Sequence, residues 1–110
     1  MKTLTLNIKT LDTPQKEIST LVFAKFKEYG ISGRQVKQWW TEHTLTFLMQ
    51  RYWLLQYYLQ TNPPRNPRAF LIDSINKEYT LPEMFHYWFK TKQISIEKSN
   101  DDDLKRLVAL

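Results

Sequence analysis

Leu45-Thr46-Phe47-Leu48-Met49-Gln50-Arg51-Tyr52-Trp53-Leu54-Leu55-Gln56-Tyr57-Tyr58-Leu59-Gln60 decides the fold of this chain. Leu45, Leu48, Met49, Tyr52, Trp53, Leu55, Tyr57 and Leu59 cover more than one face of a helix. A helix apolar on several sides belongs inside a bundle, touched from several directions. Gln50, Arg51 and Gln56 interrupt the run. It also falls short of the roughly 20 apolar residues that a bilayer-spanning helix needs. The segments on either side are therefore read as its cover.

Upstream, Thr13 and Pro14 give a helix start, because the proline lacks an N–H where none is needed. Ile18, Leu21, Val22 and Phe26 then recur at the spacing of one helix face. Gly30 closes that helix, with Ile31 placed to fold back in a Schellman-type end. Ser32-Gly33-Arg34-Gln35 reads as a capping box opening a second helix, with Val36, Trp39, Trp40 and His43 on its packed face. The two helices are joined by a tight helix–turn–helix joint.

Downstream, Asn62-Pro63-Pro64-Arg65-Asn66-Pro67 is a rigid connector, since three prolines fix φ and bias their predecessors to extended states. Asn66-Pro67 starts a fourth helix carrying Phe70, Leu71, Ser74, Ile75 and Tyr79. Leu81-Pro82-Glu83 starts a fifth, carrying Phe85, Trp88 and Phe89. Asp101-Asp102-Asp103 ahead of Lys105 and Arg106 suits the dipole of a short sixth helix, so 98–110 is read as that helix or as a mobile tail. At the other end Leu4, Leu6 and Ile8 alternate with Thr3, Thr5, Asn7 and Lys9, the pattern of a strand with one buried face. Residues 1–12 are read as an edge strand, with Gln93-Ile94-Ser95-Ile96-Glu97 as the nearest candidate to pair with it. The expected fold is mainly α: one domain over 1–110, a compact bundle of five or six short helices with a short N-terminal β-strand.

Composition narrows the function classes. The chain has 110 residues, of which 42 % are hydrophobic, so a single modest core is affordable and wholesale disorder is not expected. Two glycines leave no phosphate-cradling loop. The absence of cysteine removes thiolate metal sites and cysteine nucleophiles. It fits a reducing compartment, and with no secretory h-region a cytoplasmic location is expected. The net charge of +5 is lopsided. Residues 13–70 carry eight bases and three acids, while residues 71–110 carry six bases and seven acids.

The segment from Asn66 to Pro82, with Asn66-Pro67, Phe70-Leu71, Ile75, Tyr79 and Pro82, resembles a signature near the C-terminal ends of bacterial plasmid and phage replication-initiator proteins and related mobile-element proteins. There it typically follows a phrase like Tyr29-Gly30-Ile31-Ser32 and an intervening helix, so the likeness spans roughly residues 26 to 82. Arg68 stands where a small residue is usual, and Tyr79 where tryptophan is usual. The upstream winged-helix region of initiators is not part of the likeness. The resemblance implies a replication-associated or mobile-element module.

Catalytic and metal residues are not expected. His43 and His86 have no triad or ligand spacing about them, and Tyr57-Tyr58 has no His-x-His partner. Asp101 to Asp103 reads as a helix cap, and no cofactor is implied. Arg34 and Lys37, at i and i+3 on the outer side of the second helix, are the expected phosphate contacts on DNA. Arg65 and Arg68 flank the start of the fourth helix, itself an anion-favouring end. Adjacent helix residues point about 100° apart, so Trp39-Trp40 and Tyr57-Tyr58 cannot all face inward. Trp40, four after Val36 and three before His43, is read as buried. Trp39 and Tyr58 are then the exposed members, available to stack on bases or to anchor a protein. The expected function is a non-enzymatic DNA-associated binding module linked to replication or maintenance of a plasmid, phage or mobile element. The other reading is a protein-interaction adaptor or host-protein inhibitor, whose aromatic surface docks a replication-associated protein or supports self-association. No membrane partner is expected.

Overall fold

The computed structural model describes the backbone of residues 13–109 and the side chains of residues 18–109. Six helices follow one another there: α1 Thr13–Lys27, α2 Gly33–Glu42, α3 Leu45–Thr61, α4 Pro67–Asn76, α5 Glu83–Glu97 and α6 Asp102–Val108. The architecture is the mainly α bundle read from the sequence. The strand expected over residues 1–12 lies outside the described residues.

Each helix end has a local cause. After α1 the Gly30 N–H donates to the Lys27 carbonyl at 2.9 Å and the Ile31 N–H to the Phe26 carbonyl at 3.2 Å, the two bonds of a Schellman end. Gly30 takes φ +78°, which a side chain would strain. Ser32 Oγ then accepts from the Gln35 N–H at 3.2 Å and opens α2. Only His43 and Thr44, both extended, separate α2 from α3. Thr44 Oγ1 caps α3 by accepting from the Phe47 N–H at 3.0 Å, a start signal the sequence reading passed over. Asn66 Oδ1 caps α4 through the Ala69 N–H at 3.0 Å, with Pro67 in the first turn.

α4 ends in a second Schellman pair, Glu78 N–H to the Ile75 carbonyl and Tyr79 N–H to the Ser74 carbonyl. Here Glu78 itself holds the left-handed position, at φ 46°. Tyr79 therefore follows α4 instead of riding on it, a correction to the sequence reading.

α3 packs against α1, α2, α4 and α5, and α6 bridges α5 and α1. The segment Gln93–Glu97, expected as the partner of an edge strand, is instead the last part of α5, with Ile96 buried. Its alternation spans too few residues to separate a strand from the end of a helix. Residues 102–108 form a helix and not a tail. Leu107 and Val108 enter the core, the Trp53 indole N–H donates to the Leu107 carbonyl at 3.4 Å, and Gln93 Nε2 donates to the Val108 carbonyl at 2.7 Å.

Two expected outcomes follow from this packing. Leu107→Ala removes a fully buried side chain and costs about 2–5 kcal/mol of unfolding free energy, measured by urea titration, where an unpacked tail would cost nothing. Tyr52 lies buried, and its phenol is pushed above the ordinary tyrosine value, first by desolvation and then by Tyr29 and Glu28. The unfolded chain therefore loses this proton first, so stability falls as pH rises above about 10. Tyr52→Phe flattens that alkaline loss.

Candidate nucleic-acid interface

α2 has one face inward and one outward. Val36 and Trp39 are buried, while Arg34, Lys37, Gln38 and Thr41 are exposed at i, i+3, i+4 and i+7, a single outward stripe. The expected exposure of Arg34 and Lys37 holds. Gln38 and Thr41, which the sequence reading did not single out, extend the stripe.

Trp39 is corrected. It is 1 % exposed, and the half-buried member of the pair is Trp40. Positions three and four beyond Val36 both lie on the packed side, so spacing alone did not choose between them. The choice is made across the bundle. The Trp39 indole N–H donates to Asn76 Oδ1 at 3.0 Å, and its ring meets Phe26 edge-on at 6.2 Å. Trp40 packs edge-on against Phe23 at 6.3 Å. Trp39 is thus a core residue and no anchor. Tyr58, expected to be exposed, is half-buried, in T-shaped contacts with Tyr57 at 5.3 Å and with Phe70 at 5.1 Å.

The Arg68 Nε–H donates to the Gly30 carbonyl at 3.2 Å. With Trp39–Asn76, this fixes the relation of α2 to α4. The residue that leads into α2 meets the first turn of α4, and the last turns of the two helices meet in the same way. The helices therefore run in the same direction, with their capped N-termini at one end. Arg34, Arg65 and Arg68 are carried at that end, and Lys37 lies one turn along α2. Both helix N-termini add partial positive charge there.

The acids do not cancel this charge. Ion pairs join Lys77 to Asp73 (3.7 Å), Lys105 to Asp102 (4.0 Å) and Arg106 to Asp103 (3.5 Å), so these three C-terminal acids are each matched by a near neighbour in sequence. Lys25 and Glu28 form another local pair at 3.6 Å. Arg34, Lys37, Arg65 and Arg68 form no ion pair with a described residue.

Arg51 is the basic residue of the same region that does not join the surface. It is buried on α3, donates through Nη1 to the Tyr79 carbonyl, and sits over the Phe47 ring at 4.5 Å. Its Nε is buried without a partner. Burial lowers its pKa from the usual arginine value, against the opposing attraction of Glu78. Its charge serves the turn after α4 and is unavailable to a ligand.

Among the described residues no group of three or more His, Cys, Asp or Glu could hold a metal ion. His43 stacks on Phe47 at 4.5 Å, and His86 is exposed on α5. No described helix is long and apolar enough to cross a membrane.

The Trp39–Asn76 bond is tested by a double-mutant cycle. Trp39→Phe and Asn76→Ala each lower unfolding free energy by about 1–3 kcal/mol, because each leaves a shielded polar group or a gap. The double variant costs clearly less than the sum, as expected of direct partners. Comparison of the chain with protein-family models, with curated proteins and with solved structures found no match.

Proposed function

We propose that this chain is a non-enzymatic, DNA-associated binding module that holds nucleic acid with the outer stripe of α2 and the N-terminal end of α4. The observation that carries the reading is the set of unpaired cations Arg34, Lys37, Arg65 and Arg68, exposed where two helix N-termini lie together. Phosphate contacts of this kind supply most of the free energy of non-specific binding, by releasing counterions. They need accessible cations, and among the described residues no acid pairs with these four in competition with a phosphate.

The roles divide by reach. Arg34 and Lys37, with Gln38 next to Lys37 and Thr41 a turn further on, form the surface that a helix presents to a groove or strand. Arg65 and Arg68 grip the backbone beside it. Arg68 donates Nε–H to Gly30 while its terminal nitrogens bond to no described residue, so it ties α4 to the α1–α2 turn and offers charge outward. In the setting implied by the resemblance to replication-initiator modules, this grip serves replication or maintenance of a mobile element.

The test is binding of labelled duplex and single-stranded oligonucleotides by fluorescence anisotropy over a salt series. Four phosphate contacts give a slope of log K on log salt of about −3.6 on duplex and about −2.8 on single strands. Arg34→Ala and Arg65→Ala each flatten the duplex slope by about 0.9. Absent binding, or affinity indifferent to salt, overturns the reading.

A further inference from the structure

α5 leaves an apolar stripe uncovered. Met84, Tyr87 and Ile94 are 60 %, 67 % and 49 % exposed, while Phe85 and Ile96 on the opposite side are buried. With exposed Thr91, these residues follow steps of three, four and three, so they line one ridge of the helix. Isolated apolar side chains on a surface need no explanation, but a row along one helix does.

The charges beside the ridge say what covers it. Glu83, Lys90 and Glu97 are all exposed, stand seven residues apart along one flank, and form no ion pair with a described residue. The other flank has Trp88 and Ser95, and its one charge, Lys92, lies over the Trp88 ring at 5.7 Å. A parallel copy of α5 would set this row of alternating sign against a flank whose one charge is already held over a ring. An antiparallel copy sets it against itself, and the row of alternating sign then meets its own reversal. Centred on Lys90, like charges would face each other. Displaced by one seven-residue repeat toward the N-terminus, Glu83 of each copy faces Lys90 of the other, twice.

We propose that α5 pairs antiparallel with α5 of a second copy of this chain, in the register that joins Glu83 to Lys90 reciprocally. In that register the two helices overlap over residues 83–88: Met84 of one protomer lies on Tyr87 of the other, twice, while Ile94 runs past the end of the partner's α5. A two-fold interface uses the same patch on both subunits, which this patch satisfies. A thioether against an aromatic ring is itself a favourable contact. The displacement toward the C-terminus would pair Lys90 with Glu97 and put Thr91 against Ile94. It would bury less apolar surface, because Met84 and Tyr87 are the more exposed pair. The contact is small, below the roughly 1,200 Å² of stable interfaces, so the dimer is reversible. The inference rests on α5 alone and is independent of DNA binding.

The test is sedimentation velocity of the full chain across a range of concentrations, with helicity monitored by circular dichroism. Wild type shows a mass rising from monomer toward twice that value. Tyr87→Glu and Lys90→Glu each weaken the dimer by about tenfold or more at unchanged helicity. The charge swap Glu83→Lys with Lys90→Glu restores it, whereas Glu97→Lys with Lys90→Glu does not. A monomer at every concentration overturns the proposal, and so does rescue by Glu97→Lys in place of Glu83→Lys.

Discussion

Leu54 and Leu55 are neighbours on α3, about 100° apart around the helix, and neither keeps any surface in water. That constraint shapes the rest of the molecule. Trp53 is buried a further 100° round, and Leu45 lies on the side opposite Leu54, so the helix is buried on every side and other helices must close round it. α1, α2, α4 and α5 do so. The same enclosure forces polar atoms on α3 to find partners inside. The Trp53 indole N–H reaches the Leu107 carbonyl, and Arg51 reaches the Tyr79 carbonyl. Leaving either donor unpaired would cost about 1–3 kcal/mol, and more for the charge, so the positions of α6 and of the turn after α4 are set partly by what α3 buries.

The candidate site depends on that arrangement at one remove. α2 and α4 both lean on α3, and two side-chain bonds set their shared direction, Arg68 to Gly30 and Trp39 to Asn76. Neither bond involves α3, yet both require it, since each spans more than 35 residues of chain that pass through it. The gathering of basic residues at one end follows from the parallel run of two capped helices. The charge asymmetry in the sequence thereby becomes a spatial one.

Much of the fold was legible in the sequence because the signals are local. Gly30 after an amphipathic run, Ser32 before Gln35 and Asn66 before Pro67 each act within a few residues, and each appears as read. What was misread depends on distant partners. Trp39 and Trp40 are equivalent by spacing, and Asn76 separates them from 37 residues away. Gln93 to Glu97 alternates like a strand, but α5 continues through it because Ile96 has a core to enter. Arg51 contributes to the basic charge of residues 13–70, and nothing near it in sequence announces the Tyr79 carbonyl that holds it inside. For the site, helix phase alone gave the exposure of Arg34 and Lys37. Their alignment with Arg65 and Arg68 was not readable, since it depends on which ends of two separated helices meet.

The short last helix has a consequence for how the chain comes together in time. α6 bridges α5 and α1, and its final carbonyls accept from Trp53 and Gln93. The contact between α1 and α6 joins the two ends of the described chain, the longest loop the fold has to close. During synthesis from the N-terminus, α1 to α4 can assemble around α3 while the side of Trp53 that faces Leu107 still lacks its cover. The core is completed only when Leu107 and Val108 have left the ribosome. Until then the nascent chain holds an indole and its surrounding apolar wall open to water, an interval in which chaperones and neighbouring chains compete for that surface.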